Sequence, residues 1–244
     1  MRDELTMRRV VPKPRLPGPA RAGGFTLPDL LVVVAVLSVL AAIVVPVLAR
    51  NRSKSRLAQC IGNLQQVNGA VLLYAKDEQG RLPSLQNSPA PGAWWFYKEQ
   101  VKGYLGLSGP SSPQDKVFGC PDDRGYGDGA ERSQPFRLSK KHVYTSYVLN
   151  GVDLPGLPNV AGREVASIKN PAATLLTMEW TAHAPLSWHR SRTGRANTPF
   201  YNDAENVVGF VDGHVAFLPI YFDGCNAAYT RDPIPGYAYK YSAD

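Results

Sequence analysis

Asp29 stands at the mouth of an apolar run, residues 30–48, that carries no charge of its own. An ionised acid at the edge of such a run is costly to leave unpaired. The residues before it read Gly23-Gly24-Phe25-Thr26-Leu27-Pro28. The simplest counter-charge is the amino group released by cutting between Gly24 and Phe25. In low dielectric, a pair between Asp29 and such an amine would be strong. Two other groups carry ligand chemistry. Asp122, Asp123 and Asp128 lie among Gly125, Gly127 and Gly129, and calcium draws several oxygen ligands from loops of this kind. Their spacing is not that of an EF-hand, and a solvated loop is the favoured reading. His189, Asp212 and His214 offer imidazole nitrogen and carboxylate oxygen, which suit zinc or a similar ion. Asp212-Gly213 is also what a tight β-turn requires with no metal at all. The chain has no Gly-x-Ser-x-Gly elbow, no phosphate-cradling glycine loop and no evident nucleophile–base set. We therefore expect no enzyme.

The element that must present Asp29 is a helix. Nineteen residues from 30 to 48, with Ser38 the only hydroxyl, span about 28 Å at 1.5 Å each, close to a hydrocarbon core of roughly 30 Å. A cleaved secretory signal would have its cut beyond the apolar segment. Here the cut falls before it, so the stem stays in the mature chain. Beyond a basic collar of Arg50, Arg52, Lys54 and Arg56, the apolar residues Leu57, Ile61, Leu64, Val67, Val71 and Tyr74 keep helical spacing. Gln59, Asn63, Gln66, Asn68 and Lys76 fall on the other face, and Gln65 and Gln66 read as solvated. Gly80 and Pro83 supply a stop. The expected organisation is a basic leader over 1–24, one long helix over 25–80 with its membrane span at about 30–48, and an outer domain over 84–244. In that domain 143–149, 174–178 and 207–211 read as strands, and 110–115, 122–133 and 188–203 as loops. Asn150-Gly151 and Asp212-Gly213 fit hairpin turns, with 214–218 pairing back on 207–211. The fold class is α+β, a long N-terminal helix packed on a C-terminal antiparallel sheet.

The 244 residues carry a formal charge of +7. Residues 1–24 hold six Lys/Arg against Asp3 and Glu4, a net of +4, which leaves +3 for the rest. The basic balance thus belongs largely to a removable leader, and no nucleic-acid partner is expected. Leader and collar, six cations against four, lean toward a leader on the cytoplasmic side. Twelve Tyr and four Trp, mostly beyond residue 90, exclude a disordered tail. Cys60, Cys120 and Cys225 allow one disulfide and one leftover thiol in an exported domain, with no pair favoured. They lie too far apart in sequence for a metal knuckle.

Gly24, Phe25, Thr26 and Leu27, with an acid at 29, resemble the prepilin signal of type IV pilins and type II secretion pseudopilins. That signal normally has Glu where this chain has Asp29, which keeps the charge on a shorter arm. The resemblance implies a pilin-like fold and cutting at Gly24–Phe25 by the prepilin peptidase at the cytoplasmic face, with methylation of the new amine. It implies a single-pass protein of the inner membrane, in contact with its lipid, with the outer domain outside the cytoplasm. It further implies assembly with other pilin or pseudopilin subunits into a type II secretion pseudopilus or a type IV pilus-like fibre. Pro46 falls where family helices often carry a kinking proline, although a proline is also tolerated near a helix end. Pseudopilin outer domains often bind calcium, which makes calcium the candidate ion.

A second resemblance is to a subgroup of pilin-like proteins of environmental bacteria. Cys60-Ile-Gly-Asn63-Leu64, Tyr74 and Gly80-Arg-Leu-Pro83 match its post-membrane helix. Phe118-Gly-Cys120-Pro-Asp122 is similar to its Cys-Pro-Ser-Asp element, Ser146-Tyr147 to Asn150 to its Ser-Tyr-x-x-Asn element, and Asp212-Gly-His214-Val215 to its closing hairpin. The subgroup places a His about ten residues before the Asp-Gly. Here the nearest upstream His is His189, 23 residues before Asp212, so residues 190–204 read as an insertion. The competing expectations are a membrane-tethered binding or enzymatic domain that never polymerises, and a minor pilin that captures DNA.

Overall fold

The computed structural model describes residues 26–84, 86, 94–125, 134–151, 157–183, 187–189, 204–221, 232 and 234–244. The leader, Gly24, Phe25, Asp128, Cys225 and most of the 188–203 loop lie outside them. The chain is α+β and divides into two compact units, residues 1–48 and 49–244.

Helix α1, Leu27–Asp77, runs for 51 residues. In the first unit it presents an uninterrupted apolar surface. Every large aliphatic side chain from Leu27 to Leu48 is exposed, between 44% and 74%. By length and composition this segment can cross a membrane. Pro46 is accommodated inside the helix, and the Ser38 hydroxyl donates to the Val34 carbonyl one turn back.

In the second unit the helix has one buried stripe of Cys60, Leu64, Val67, Asn68, Ala70, Val71 and Ala75. Leu57, Ile61 and Tyr74, expected in the stripe, are its half-buried flanks. Asn68, expected on the solvated face, is wholly buried, because the sheet has a polar notch that fits it. Its amide donates to the Phe210 carbonyl at 2.9 Å and its oxygen accepts the Thr177 hydroxyl at 2.8 Å. Gln65 and Gln66 are exposed, as expected. The helix ends where the backbone turns left-handed at Gln79 (φ 56°) and Gly80 (φ 85°), and the Gly80 N–H reaches back to the Ala75 carbonyl at 2.7 Å.

The sheet has four antiparallel strands in sequence order: β1 (Tyr147–Leu149), β2 (Leu175–Glu179), β3 (Glu205–Phe210) and β4 (Val215–Pro219). Strands β3 and β4 form the expected hairpin, with Gly209 opposite Val215 and Gly213 at φ 100° in the turn. The first three strands are buried apart from Glu205 at the start of β3, which is why their sequences read as short apolar runs rather than alternations. Two expectations fail. Asn150-Gly151 does not close a hairpin: β1 pairs with β2 across a long connection, and the Asn150 amide is buried, donating to the Leu175 and Tyr241 carbonyls at 2.8 Å each. Residues 143–146 are not strand, because Val143 (φ 46°) and Tyr144 (φ 57°) are left-handed.

The cause of that reversal is Lys98, on the short helix α2 (Tyr97–Val101). Its side chain is fully buried, donates to the carbonyls of Val143 at 2.8 Å and Tyr144 at 3.3 Å, and pairs with Asp115 at 2.9 Å. Collecting both carbonyls on one ammonium requires a conformation that a β-branched residue adopts only when its surroundings impose it.

Candidate functional site

At the start of α1, Thr26 and Asp29 hold each other. The Asp29 carboxylate accepts the Thr26 N–H at 3.0 Å and the Thr26 hydroxyl at 2.6 Å, and the Asp29 N–H reaches the same hydroxyl oxygen at 3.4 Å. This is a capping box, with the acid three residues after the cap and reaching back to it. It fixes the carboxylate at the helix mouth, where the helix dipole also favours negative charge. Phe25, the expected source of the counter-charge, lies outside the described residues.

In the second unit a buried polar cluster forms where α1, the loop after Phe118, the end of β2 and residues 187–189 meet. Arg56 forms an ion pair with one Asp122 oxygen. The other Asp122 oxygen takes His189 Nδ1 at 3.1 Å, and His189 Nε2 meets Glu179 Oε1 at 2.9 Å. The remaining Glu179 oxygen accepts the Val207 N–H at 2.9 Å. Glu179 is wholly buried and the His189 side chain only 3% exposed. Burial opposes charge on His189, but the carboxylates of Glu179 and Asp122 outweigh it and lift its pKa to about 9. Burial likewise opposes charge on Asp122, and His189 and Arg56 outweigh it, so its pKa falls below the usual carboxylate value. Arg56 is half-exposed at the edge of the cluster, and His189 lies between the Asp122 and Glu179 carboxylates, the pairing by which buried charges persist.

Cys60 on α1 and Cys120 in the loop are joined by a disulfide beside this cluster, their Cα atoms 4.8 Å apart. Cys120 Sγ lies 3.8 Å from His189 Nε2. The loop is fixed further by Asn63, whose amide donates to the Gly119 carbonyl at 2.9 Å. Residues 187–189 are anchored by the Trp188 indole, which donates to the Gly125 carbonyl at 2.9 Å, and by the Arg124 guanidinium on the Trp188 carbonyl. The Ser187 hydroxyl donates to the Glu205 carbonyl at 2.7 Å and accepts the His189 N–H at 3.1 Å.

Within the described part of the acidic loop, Asp122 and Asp123 have different partners. Asp123 faces away from Asp122, buried and accepting the Gly125 N–H, the Arg137 N–H and the Ser146 hydroxyl at 2.7–2.8 Å. Burial raises its pKa against those hydrogen bonds. Ser146 Oγ in turn accepts the Cys120 N–H at 3.0 Å, so Asp123 supports the disulfide loop. Asp212 and His214 contact each other at the β3–β4 turn, with Nδ1 at 2.6 Å from the Asp212 carboxylate, and both are exposed. His189, in residues 187–189, packs against β4 of that hairpin, its ring 5.7 Å from Phe217. The structure therefore joins His189 to Asp122 and leaves His214 with Asp212.

Four residues of the cluster and its disulfide carried no sequence signal of their meeting. Glu179 is the last residue of the otherwise apolar β2, Arg56 is one of four collar cations, and Cys60 and Cys120 are 60 residues apart. The available pointer was that Cys60, Asn63, Cys120, Asp122, Ser146 and Tyr147 all fall in the segments resembling one subgroup, and these segments converge. The Tyr147 hydroxyl donates to the Cys60 carbonyl at 3.2 Å. Chemically, the cluster holds protons and cross-links elements. The sulfur nearest His189 is tied in a disulfide, so no free nucleophile adjoins it among the described residues. No protein-family model, no curated protein and no solved structure matches the chain.

Proposed function

We propose that the chain is a pilin-like or pseudopilin structural subunit, made as a precursor, cut at Gly24–Phe25, methylated on the new amine and assembled into a type II secretion pseudopilus or type IV pilus-like fibre. The observation that carries this reading is helix α1. Its residues 27–48 expose an unbroken apolar surface with an acid held at the mouth, while the same helix buries one stripe from Cys60 to Ala75 in the outer unit. A simple tether needs an apolar surface but no fixed carboxylate at its entrance. In a fibre, the lipid around the stem is exchanged for neighbouring stems, and Asp29 pairs with the Phe25 amine of an adjacent copy. The outer unit, stapled by its disulfide and buried ion cluster, is the part displayed. The subunit is processed by the peptidase and is not itself an enzyme.

The test separates charge from capping. Asp29→Asn keeps an oxygen for Thr26 and removes the charge, Asp29→Glu keeps the charge, and Asp29→Ala removes both. Fibres sheared from cells should contain wild type and Asp29→Glu, while Asp29→Asn and Asp29→Ala stay in the membrane fraction. Assembly of Asp29→Asn at the wild-type level would leave Asp29 as a helix cap alone and refute the reading.

A further inference from the structure

We propose that Cys60, Cys120, His189 and Glu179 form a closed site for a thiophilic divalent cation, zinc by chemistry, whenever the Cys60–Cys120 disulfide is reduced. The inference is independent of whether the subunit polymerises. The four donor atoms lie within 4.8 Å of one another and come from four separate places in the chain. Cys60, Cys120 and Glu179 are wholly buried. A tetrahedral zinc site, with Zn–S of ~2.3 Å and Zn–N of ~2.0 Å, has ligand–ligand edges of roughly 3.4–3.8 Å. His189 Nε2 stands 3.8 Å from Cys120 Sγ, at the edge length, and 2.9 Å from Glu179 Oε1, a few tenths of an ångström inside it. The chief movement required is the parting of the two sulfurs once their bond is broken.

The surroundings fit as well as the ligands. Nδ1 of His189 is held by Asp122, which is itself held by Arg56, and this leaves Nε2 directed at the sulfur and the carboxylate. A carboxylate on the far nitrogen is the usual support of a metal-bound histidine. The second Glu179 oxygen is anchored by the Val207 N–H, so Oε1 is presented as a single ligand. Two sulfurs, one nitrogen and one oxygen exclude calcium and magnesium, which require oxygen shells. With four protein ligands in the interior and no open position, the site would be structural rather than catalytic.

The redox step balances with a dithiol as reductant. Two electrons and two protons pass from the dithiol to the sulfurs of Cys60 and Cys120, and the reductant closes to its own disulfide. Zinc then displaces both thiol protons, and any proton on Nε2, to solvent. Disulfide and metal are thus alternative staples between the same two points, α1 and the loop after Phe118.

The test uses the full chain in detergent micelles, with Cys225→Ser throughout so that the third thiol does not contribute. The chain is reduced with a phosphine, which binds the metal weakly, and titrated with Co2+ as the spectroscopic stand-in for zinc. Reduced protein should take up one Co2+ per chain, with intense tetrahedral visible bands and a thiolate charge-transfer band. Zinc should displace the cobalt and slow alkylation of both thiols. The oxidised protein should give none of these. His189→Ala and Glu179→Gln should each weaken binding at least tenfold, and Asp122→Asn by 10- to 100-fold. The inference is overturned if the reduced chain takes up no Co2+, if the spectrum is octahedral, or if His189→Ala binds as tightly as the parent. The first two readouts need no ligand variant, so a variant that fails to fold does not blunt the test.

Discussion

The side-chain oxygen of Asn68 on α1 accepts the Thr177 hydroxyl on β2 at 2.8 Å, a link across 109 residues. It is possible because the facing residue on β3 is Gly209. A Cβ there would stand 2.7 Å from Asn68 Oδ1 and 2.8 Å from Thr177 Oγ1. Gly209→Ala should therefore destabilise the chain by about 1–3 kcal/mol through overpacking. Asn68→Ala should cost a similar ~1–3 kcal/mol by stranding the Phe210 carbonyl and the Thr177 hydroxyl. The double variant should recover part of the sum, because removing the Asn68 amide makes room for the new methyl. Denaturant titration of the four chains gives the coupling, and strict additivity would refute the contact.

Lys98 should be the costliest single surface-type residue to replace. Its ammonium is fully buried and serves Asp115 and two carbonyls at once. Lys98→Met should lower stability by about 3–5 kcal/mol, the range for breaking one side of a buried pair. Lys98→Met with Asp115→Asn should regain some of that loss. A cost for Lys98→Met below about 1 kcal/mol in denaturant titration would contradict the burial.

Stability of the disulfide form should fall on the alkaline side of neutrality. His189 has a folded pKa of about 9 against an ordinary value of 6.5, so the folded state binds its proton more tightly than the unfolded one. The resulting stabilisation is complete below about pH 6.5 and is lost as pH rises through about 9. Melting of the oxidised chain should drop across that window, and His189→Gln should flatten the drop. A wild-type melting temperature constant across the window would contradict the ion cluster.

Cutting the staple itself has a calculable effect. The Cys60–Cys120 bond closes a loop with a sequence separation of 60. In the chain-entropy picture, Cys60→Ser with Cys120→Ser should lower stability by about 4 kcal/mol. Chemical denaturation of the oxidised parent and the double variant measures it, and an equal midpoint would contradict a stapling role.

Long-range geometry was the part that sequence could not supply. The continuous helix, its apolar stem and the β3–β4 hairpin were legible because each rests on local spacing: 19 uncharged residues, a three-and-four repeat, and Asp212-Gly213 between two strand-like runs. Asn68 was misassigned because helical periodicity scores side chains as apolar or polar, and cannot see a polar notch made by Thr177 and Gly209. Val143 and Tyr144 were misread as strand because their composition favours β, and the overriding contact comes from Lys98, 45 residues away. Asp122 and His189 were both candidate ligands, but their meeting, with Glu179 and the disulfide between them, depends on four chain segments whose separation in sequence carries no signal.

The most direct check on the functional account is the intact mass and N-terminal sequence of the native chain recovered from membranes. A chain that begins at a methylated Phe25 and retains residues 26–48 is the predicted result. A chain still carrying residues 1–24, or one cut beyond Leu48 and freed of its stem, would contradict it.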